Sequence, residues 1–176
     1  PQQKRWLDTI SSSGESLLTI VNDILDLSKM SSGHLQLDIQ ETDLHRVVHE
    51  CLRLYASTAE RKGLRLKVLP SSLRIKSDAT YIRRILQNLI SNAIRYTASG
   101  TVLVGTRRTR RSVRIEVWDT GPGIPQSEHE IIFKEFHRLN ARSSASEGLG
   151  LGLAIVDRAC ALLRHPLSVD STVGKG

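Results

Sequence analysis

Arg84, Asn88, Asn92 and Arg95 recur at spacings of four, four and three residues, so on a helix they share one narrow stripe. Two neutral carboxamides between two guanidinium groups suit a triphosphate and its divalent cation. The amide oxygens can ligate a hard cation, and the guanidinium groups can meet phosphate oxygens. A solvated polar helix face would look the same. The second candidate is Asp119, followed by Gly121, Gly123 and Ile124 within a Gly/Pro turn. It shares the alternation of Val113, Ile115 and Val117, so its carboxylate points inward just as that strand ends. An inward carboxylate needs donors. The amino group of adenine would supply one, and an Asx turn before two turn glycines is the other reading. Gly121 and Gly123 let the backbone approach a planar ligand. The third candidate is the run Gly148, Leu149, Gly150, Leu151, Gly152, which opens a helix whose free amides can face an anion. It is neither a dinucleotide fingerprint nor a phosphate loop, because no strand precedes it and no Gly-Lys-Ser/Thr follows.

Hydrophobic periodicity supplies the elements that hold these groups. Trp6, Leu7, Ile10, Leu17, Leu18, Ile20, Val21, Ile24, Leu25 and Leu27 project onto one wide arc, so a long helix opens the chain. Ser31, Ser32 and Gly33 stop it. So broad an apolar arc needs several helical neighbours, as in a bundle. Leu35, Leu37 and Ile39 then alternate like a strand. Asp43 opens a helix with Leu44, Val47, Val48, Cys51 and Tyr55 on its apolar face, and Lys62 and Gly63 end it. Leu64, Leu66 and Val68 alternate again, and Asp78 caps the helix bearing the first stripe, which runs to about Tyr96. Strands follow over 101–106 and 113–118, then a short helix near 128–132 and a polar stretch over 140–147. The last helix runs from about Gly150 to Arg164 and precedes a short strand over 167–169. Strands able to pair antiparallel, mixed with separate helices, predict an α+β sandwich with helices on one face of a sheet.

At 176 residues, 39% hydrophobic and 24% charged, the sequence fits one folded domain with an appendage and excludes a disordered chain. Its apolar runs fall short of the ~20 residues that cross a bilayer, so any membrane segment is expected outside this sequence. Cys51 and Cys160 lie on apolar helix faces with no ligand cluster nearby, as buried thiols in a reducing compartment do. A net charge of +7 raises nucleic acid as a partner. The arginines are scattered, however, and their one cluster, Arg107, Arg108, Arg110 and Arg111, sits between two strands as a solvated hairpin tip. No aromatic residue interleaves with it to stack bases, so nucleic acid is not expected. His45 and His49 stand four apart like a metal pair but lack the intervening Glu of a zinc protease helix.

Taken together, these residues resemble a known family. The run from Arg84 to Thr97 resembles the N box of two-component sensor histidine kinases, and Asp119 to Gly123 their first glycine box. Phe133 to Phe136 is similar to their F box, and Gly148 to Gly152 to their second glycine box, all in the family's order. Ile20 to Ser28 is similar to the second helix of the dimerisation and histidine-phosphotransfer bundle. The resemblance implies two parts, 1–32 as that helix and 34–176 as an ATP-binding catalytic domain of the Bergerat fold, a mixed, mostly antiparallel sheet with helices on one face. It implies ATP and Mg²⁺ as cofactors, with Asn92 ligating the metal and Asn88 assisting. Arg95 would sit near the γ-phosphate, Tyr96 against adenine, and Asp119 on the adenine amino group in a pocket shaped by Gly121, Gly123 and Ile124. Phe133 and Phe136 would anchor a lid running from about His137 to Glu147. Gly148, Leu149, Gly150, Leu151 and Gly152 would hinge that lid and present amides to phosphate. The implied partners are the phosphoacceptor helix, a second copy through the bundle, and a receiver domain, in the cytoplasm.

One part of the family's pattern is absent. His49 and Glu50 do not make the phosphoacceptor box, since Arg53 falls one place late and no proline follows, so the sequence is expected to be a piece of a longer kinase. The DNA gyrase, heat-shock and mismatch-repair ATPases of the same superfamily place a Glu four residues before the metal-binding Asn. Here that position is Asn88, which cannot take a proton from water, so phosphoryl transfer to histidine is expected over hydrolysis. A non-catalytic binding module is the remaining alternative, and nucleotide binding separates the two.

Overall fold

The computed structural model of the chain describes residues 2–31, 36–138 and 149–176, with the side chains of 2–5, 7–9, 11, 12, 15 and 16 outside the description. The helix stop at Ser32 and Gly33, Leu35, most of the expected lid and Gly148 therefore lie outside the described residues.

Helix α1 spans Gln2–Ser31 and is followed by β1, Gln40–Asp43. Helix α2, Leu44–Arg61, starts where the Asp43 carboxylate accepts from the Arg46 amide. After the left-handed turn at Gly63 comes β2, Leu64–Val68, and then β3, Arg74–Ser77. Helix α3, Ala79–Tyr96, is capped by Asp78, whose Oδ1 accepts from Thr80 at 2.8 Å and Tyr81 at 3.4 Å. Its other end is closed by Lys62, whose Nζ donates to the carbonyls of Ile94 and Arg95 at 2.7 and 2.5 Å. Strands β4, Gly100–Arg108, and β5, Val113–Asp119, form a hairpin. Helix α4 spans Gly152–Leu163 and ends on left-handed Arg164.

The main sheet has the order β2-β4-β5, parallel between β2 and β4 and antiparallel between β4 and β5, while β1 and β3 make a separate antiparallel pair. Val102 and Val104 of β4, fully buried, meet Leu86, Ile90 and Ile94 of α3 and Val47, Val48 and Cys51 of α2 in one core. Helix α4 adds Val156, Ala159 and Cys160 to that core. Helix α1 reaches that core through half-buried Met30 and is joined to α4 by a small cluster of Leu27, Met30, Leu151 and Ile155. The result is the expected α+β sandwich, preceded in the sequence by a long helix.

Four details differ from the sequence reading. The first strand lies at Gln40–Asp43 rather than over Leu37 and Ile39, because register is set by its partner β3, Gln40 opposite Ser77. Strand β3 has one apolar residue, Ile75, and so no periodic signal of its own. The helix near 128–132 is a single 3₁₀ turn, Gln126–Glu128, continued by turns in which Ile131 and Ile132 both donate to the Glu128 carbonyl. Residues 167–169 form no ladder among the described residues: alternation marks a face, and Leu167 packs on the core, but no described strand pairs with this stretch.

Candidate nucleotide-binding site

Asn88 and Asn92 sit one turn apart on α3, half-buried. The Asn88 Nδ2 donates to the Arg84 carbonyl at 3.0 Å, which turns its Oδ1 toward the first residue of α4. A β-carbon on Gly152 would lie 2.9 Å from that oxygen and 3.6 Å from the Asn92 Nδ2. The two carboxamides thus abut the start of α4, a helix that begins without a side-chain cap. Uncapped amides carry the positive end of the helix dipole, so amide oxygens for a cation and amide hydrogens for an anion converge here.

Asp119 ends β5 half-buried. Its Oδ1 accepts from the Gly121 amide at 2.8 Å and from the Thr97 hydroxyl at 3.5 Å, so the Asx turn is made. Gly121 has room for nothing else, since a β-carbon there would stand 2.6 Å from the same oxygen. Gly123 takes a positive φ of 71°, and a β-carbon would strike the Thr172 carbonyl. The turn is pinned by the 171–176 segment: the Ile124 amide donates to Ser171 Oγ at 2.8 Å and the Gly174 amide to the Pro122 carbonyl at 2.7 Å. Gly150, at φ 76°, closes against the backbone of Phe136 and His137.

The structure therefore groups Asn88, Asn92 and Gly152, and separately Asp119, Gly121 and the Tyr96 carbonyl. Leu151 is buried, whereas Leu149 and the Tyr96 ring are about half exposed. Arg95 is exposed in the last turn of α3, beside buried Ile94. Phe133 lines a surface groove with Asp157 and Leu167, and Phe136 is 63% exposed on a left-handed backbone.

Arg84 departs from the sequence reading. Its guanidinium is held by Asp23 at 2.6 Å and Asp26 at 2.8 Å, both on α1, instead of facing the space beside Asn88 as a phosphate ligand. Burial pushes the Asp23 carboxyl above its ordinary value, Arg84 pulls it down and Asp26 pushes it up, with the upward effects prevailing.

Two residues have roles that the sequence reading did not give them. Thr97 is fully buried, and its hydroxyl faces Asp119 across 22 positions of sequence, a contact no local pattern marks. Ser171 supports the Asp119 turn from the far end of the chain. The donor set suits a magnesium nucleotide: neutral amide oxygens for a hard cation, a carboxylate with one oxygen committed to its own turn, glycines at the close approaches and an uncapped helix start.

A family model described as "Histidine kinase-, DNA gyrase B-, and HSP90-like ATPase" matches residues 77–176. The sensor protein GacS of Pseudomonas syringae pv. syringae is 36% identical over 185 residues, covering 100% of this chain and 20% of that relative. Full-length ShkA, solved in complex with AMPPNP, superposes with a TM-score of 0.83 at 29% identity, over 99% of this chain and 37% of that one. The histidine kinase ThkA, solved in complex with the response regulator protein TrrA, gives a TM-score of 0.64 at 28% identity, over 77% of this chain and 40% of that one. The chain thus spans about a fifth of the length of the curated relative. Among the described residues no helix is long and apolar enough to cross a membrane. The chain belongs to the histidine kinase-, DNA gyrase B- and HSP90-like ATPase family, and its relatives include sensor histidine kinases.

Proposed function

We propose that this chain is the catalytic part of a cytoplasmic sensor histidine kinase, with 1–32 as a bundle helix and 34–176 as the ATP-binding domain. The carrying observation is the meeting of Asn88 and Asn92 with the uncapped start of α4 at Gly152. Asn92, assisted by Asn88, would hold Mg²⁺, and the α4 amides with Gly148, Gly150 and Arg95 would bind the phosphates. Asp119 would accept the adenine amino hydrogens, with Gly121, Gly123, Ile124 and Tyr96 lining that end. Bound Mg·ATP supplies the transferable γ-phosphoryl group and a cation that offsets its charge. The protein's task is then to position and stabilise, which neutral amides and helix amides do without a proton-transfer group. The absence of a Glu at position 88 favours transfer over hydrolysis.

The acceptor would be a histidine on a bundle helix outside these residues, and the group would pass on to an aspartate of a receiver domain. The exposed apolar residues of α1, among them Trp6, Ile10, Leu17 and Leu18, each more than 60% exposed, suit packing against that helix and a second copy. The test is a longer protein that includes the acceptor helix, incubated with Mg·ATP. Acid-labile, base-stable phosphate should appear in it and be absent from its Asn92→Ala variant. Acid-stable phosphate, or undiminished labelling of the variant, would contradict the proposal.

A further inference from the structure

The outer face of the main sheet is a separate feature. Helices α2 and α3 cover the inner face, and α1 packs on α4 and is ion-paired to α3, so no described element lies over the outer one. Alternation and register define what it presents. Lys67, Leu103 and Trp118 stand abreast on the three strands, and Arg107 stands opposite Arg114 toward the hairpin tip. Leu69 continues the ladder, its amide donating to the Val104 carbonyl, and its side chain lies flat over Gly105. Trp118 and Leu69 are 53% and 52% exposed.

Four cations, Arg65, Lys67, Arg107 and Arg114, frame this apolar centre, against the single carboxylate of Glu116. Arg107 meets Glu116 at 2.9 Å and Arg114 at 3.6 Å, yet both arginines stay more than half exposed. One carboxylate shared by two guanidinium groups leaves the face positive, and Arg110 and Arg111 at the tip extend that field.

We propose that this face docks an acidic protein domain, one whose carboxylates surround an apolar patch. An aromatic and aliphatic centre rimmed by arginine is the anatomy of a protein interface. Covering Trp118 brings the rim cations out of water, which is favourable only if carboxylates meet them. A membrane surface fits less well. The indole Nε1 donates to Glu116 at 3.3 Å and Leu69 lies on Gly105, so both side chains follow the sheet rather than project into lipid. A single aromatic residue, tied to an acid, offers nucleic acid little stacking. Because α1 packs on the helical layer, a partner seated here is remote from the bundle. Its role is regulatory docking rather than acceptance of a phosphoryl group.

Trp118 itself reports occupancy once Trp6→Phe leaves it as the only indole. Four probes are titrated at about 0.15 M salt: a helix-forming glutamate–leucine peptide, its lysine–leucine counterpart, phosphatidylserine vesicles and a single-stranded oligonucleotide. The glutamate–leucine peptide should shift the emission to the blue and saturate, at least about tenfold tighter than the other three. Lys67→Glu with Arg107→Glu should weaken it about tenfold or more, while Arg53→Glu on α2 should leave it unchanged. These are exposed positions, and circular dichroism checks that each variant folds. No shift with any probe, equal or tighter binding of vesicles, oligonucleotide or basic peptide, or affinity untouched by the charge reversals would overturn the proposal. Nucleotide is absent throughout, so the result stands apart from the fate of the ATP site.

Discussion

Gly152 shows how a residue can be chosen for the space beside it. A methyl group there would press on the Asn88 Oδ1 at 2.9 Å, while alanine is a better helix former than glycine. Gly152→Ala should therefore leave urea unfolding within about 0.5 kcal/mol of the parent, yet weaken nucleotide binding about tenfold, a loss of ~1.4 kcal/mol. Gly123→Ala should do the reverse first: its positive φ and the Thr172 carbonyl make alanine cost about 1–3 kcal/mol of stability. Urea titration and calorimetry on the two variants separate these outcomes, and equal loss of stability in both would contradict the assignment. At this scale much was legible. Asn88, Asn92, Asp119 and the glycines announce themselves by type and spacing. Thr97 does not, because only the fold brings its hydroxyl to Asp119.

Among the elements, α1 is joined to α3 and α4 by the Arg84 clasp and by Leu27 against Leu151 and Ile155. Asp23 titrates above its ordinary value mainly because it is buried, with Arg84 opposing. The docked form therefore binds this proton more tightly than the free helix does. Asp23 disfavours docking above its raised pKa and ceases to do so as pH falls toward the ordinary value of 3.8. Arg84→Gln removes the opposing attraction and should raise the Asp23 pKa further. It should also lower hydrogen-exchange protection over 21–31 at pH 7, with partial recovery on acidification. Carboxyl NMR titration and exchange measure both, and an Asp23 pKa that falls in the variant would contradict the clasp. The stripe of α3 was legible as polar, but the partners of Arg84 were not, because Asp23, 61 residues away, and Asp26 lie on another helix. Strand β3 was missed for a related reason: its signal is its pairing with β1.

For the whole molecule, the long amphipathic segments were readable because burying one face of each fixes helix or strand and leaves one consistent arrangement, helices over a sheet. The 3₁₀ turn after Pro125 and the unpaired 167–169 stretch were not, since periodicity reports burial and says nothing of hydrogen-bond partners. The core has its own test. Cys51 and Cys160 are buried, and burial pushes each thiol up to about 11. Thiol reagents at neutral pH should therefore modify the native chain far more slowly than the urea-unfolded one, and equal rates would mean that the core is open. The most direct test of the central claim is calorimetric titration with ATP, with and without Mg²⁺, alongside Asn92→Ala and Asp119→Ala. Mg²⁺-dependent binding by the parent, lost in both folded variants, is the predicted result. A folded parent that binds no nucleotide, or an Asp119→Ala variant that binds as tightly as the parent, would contradict it.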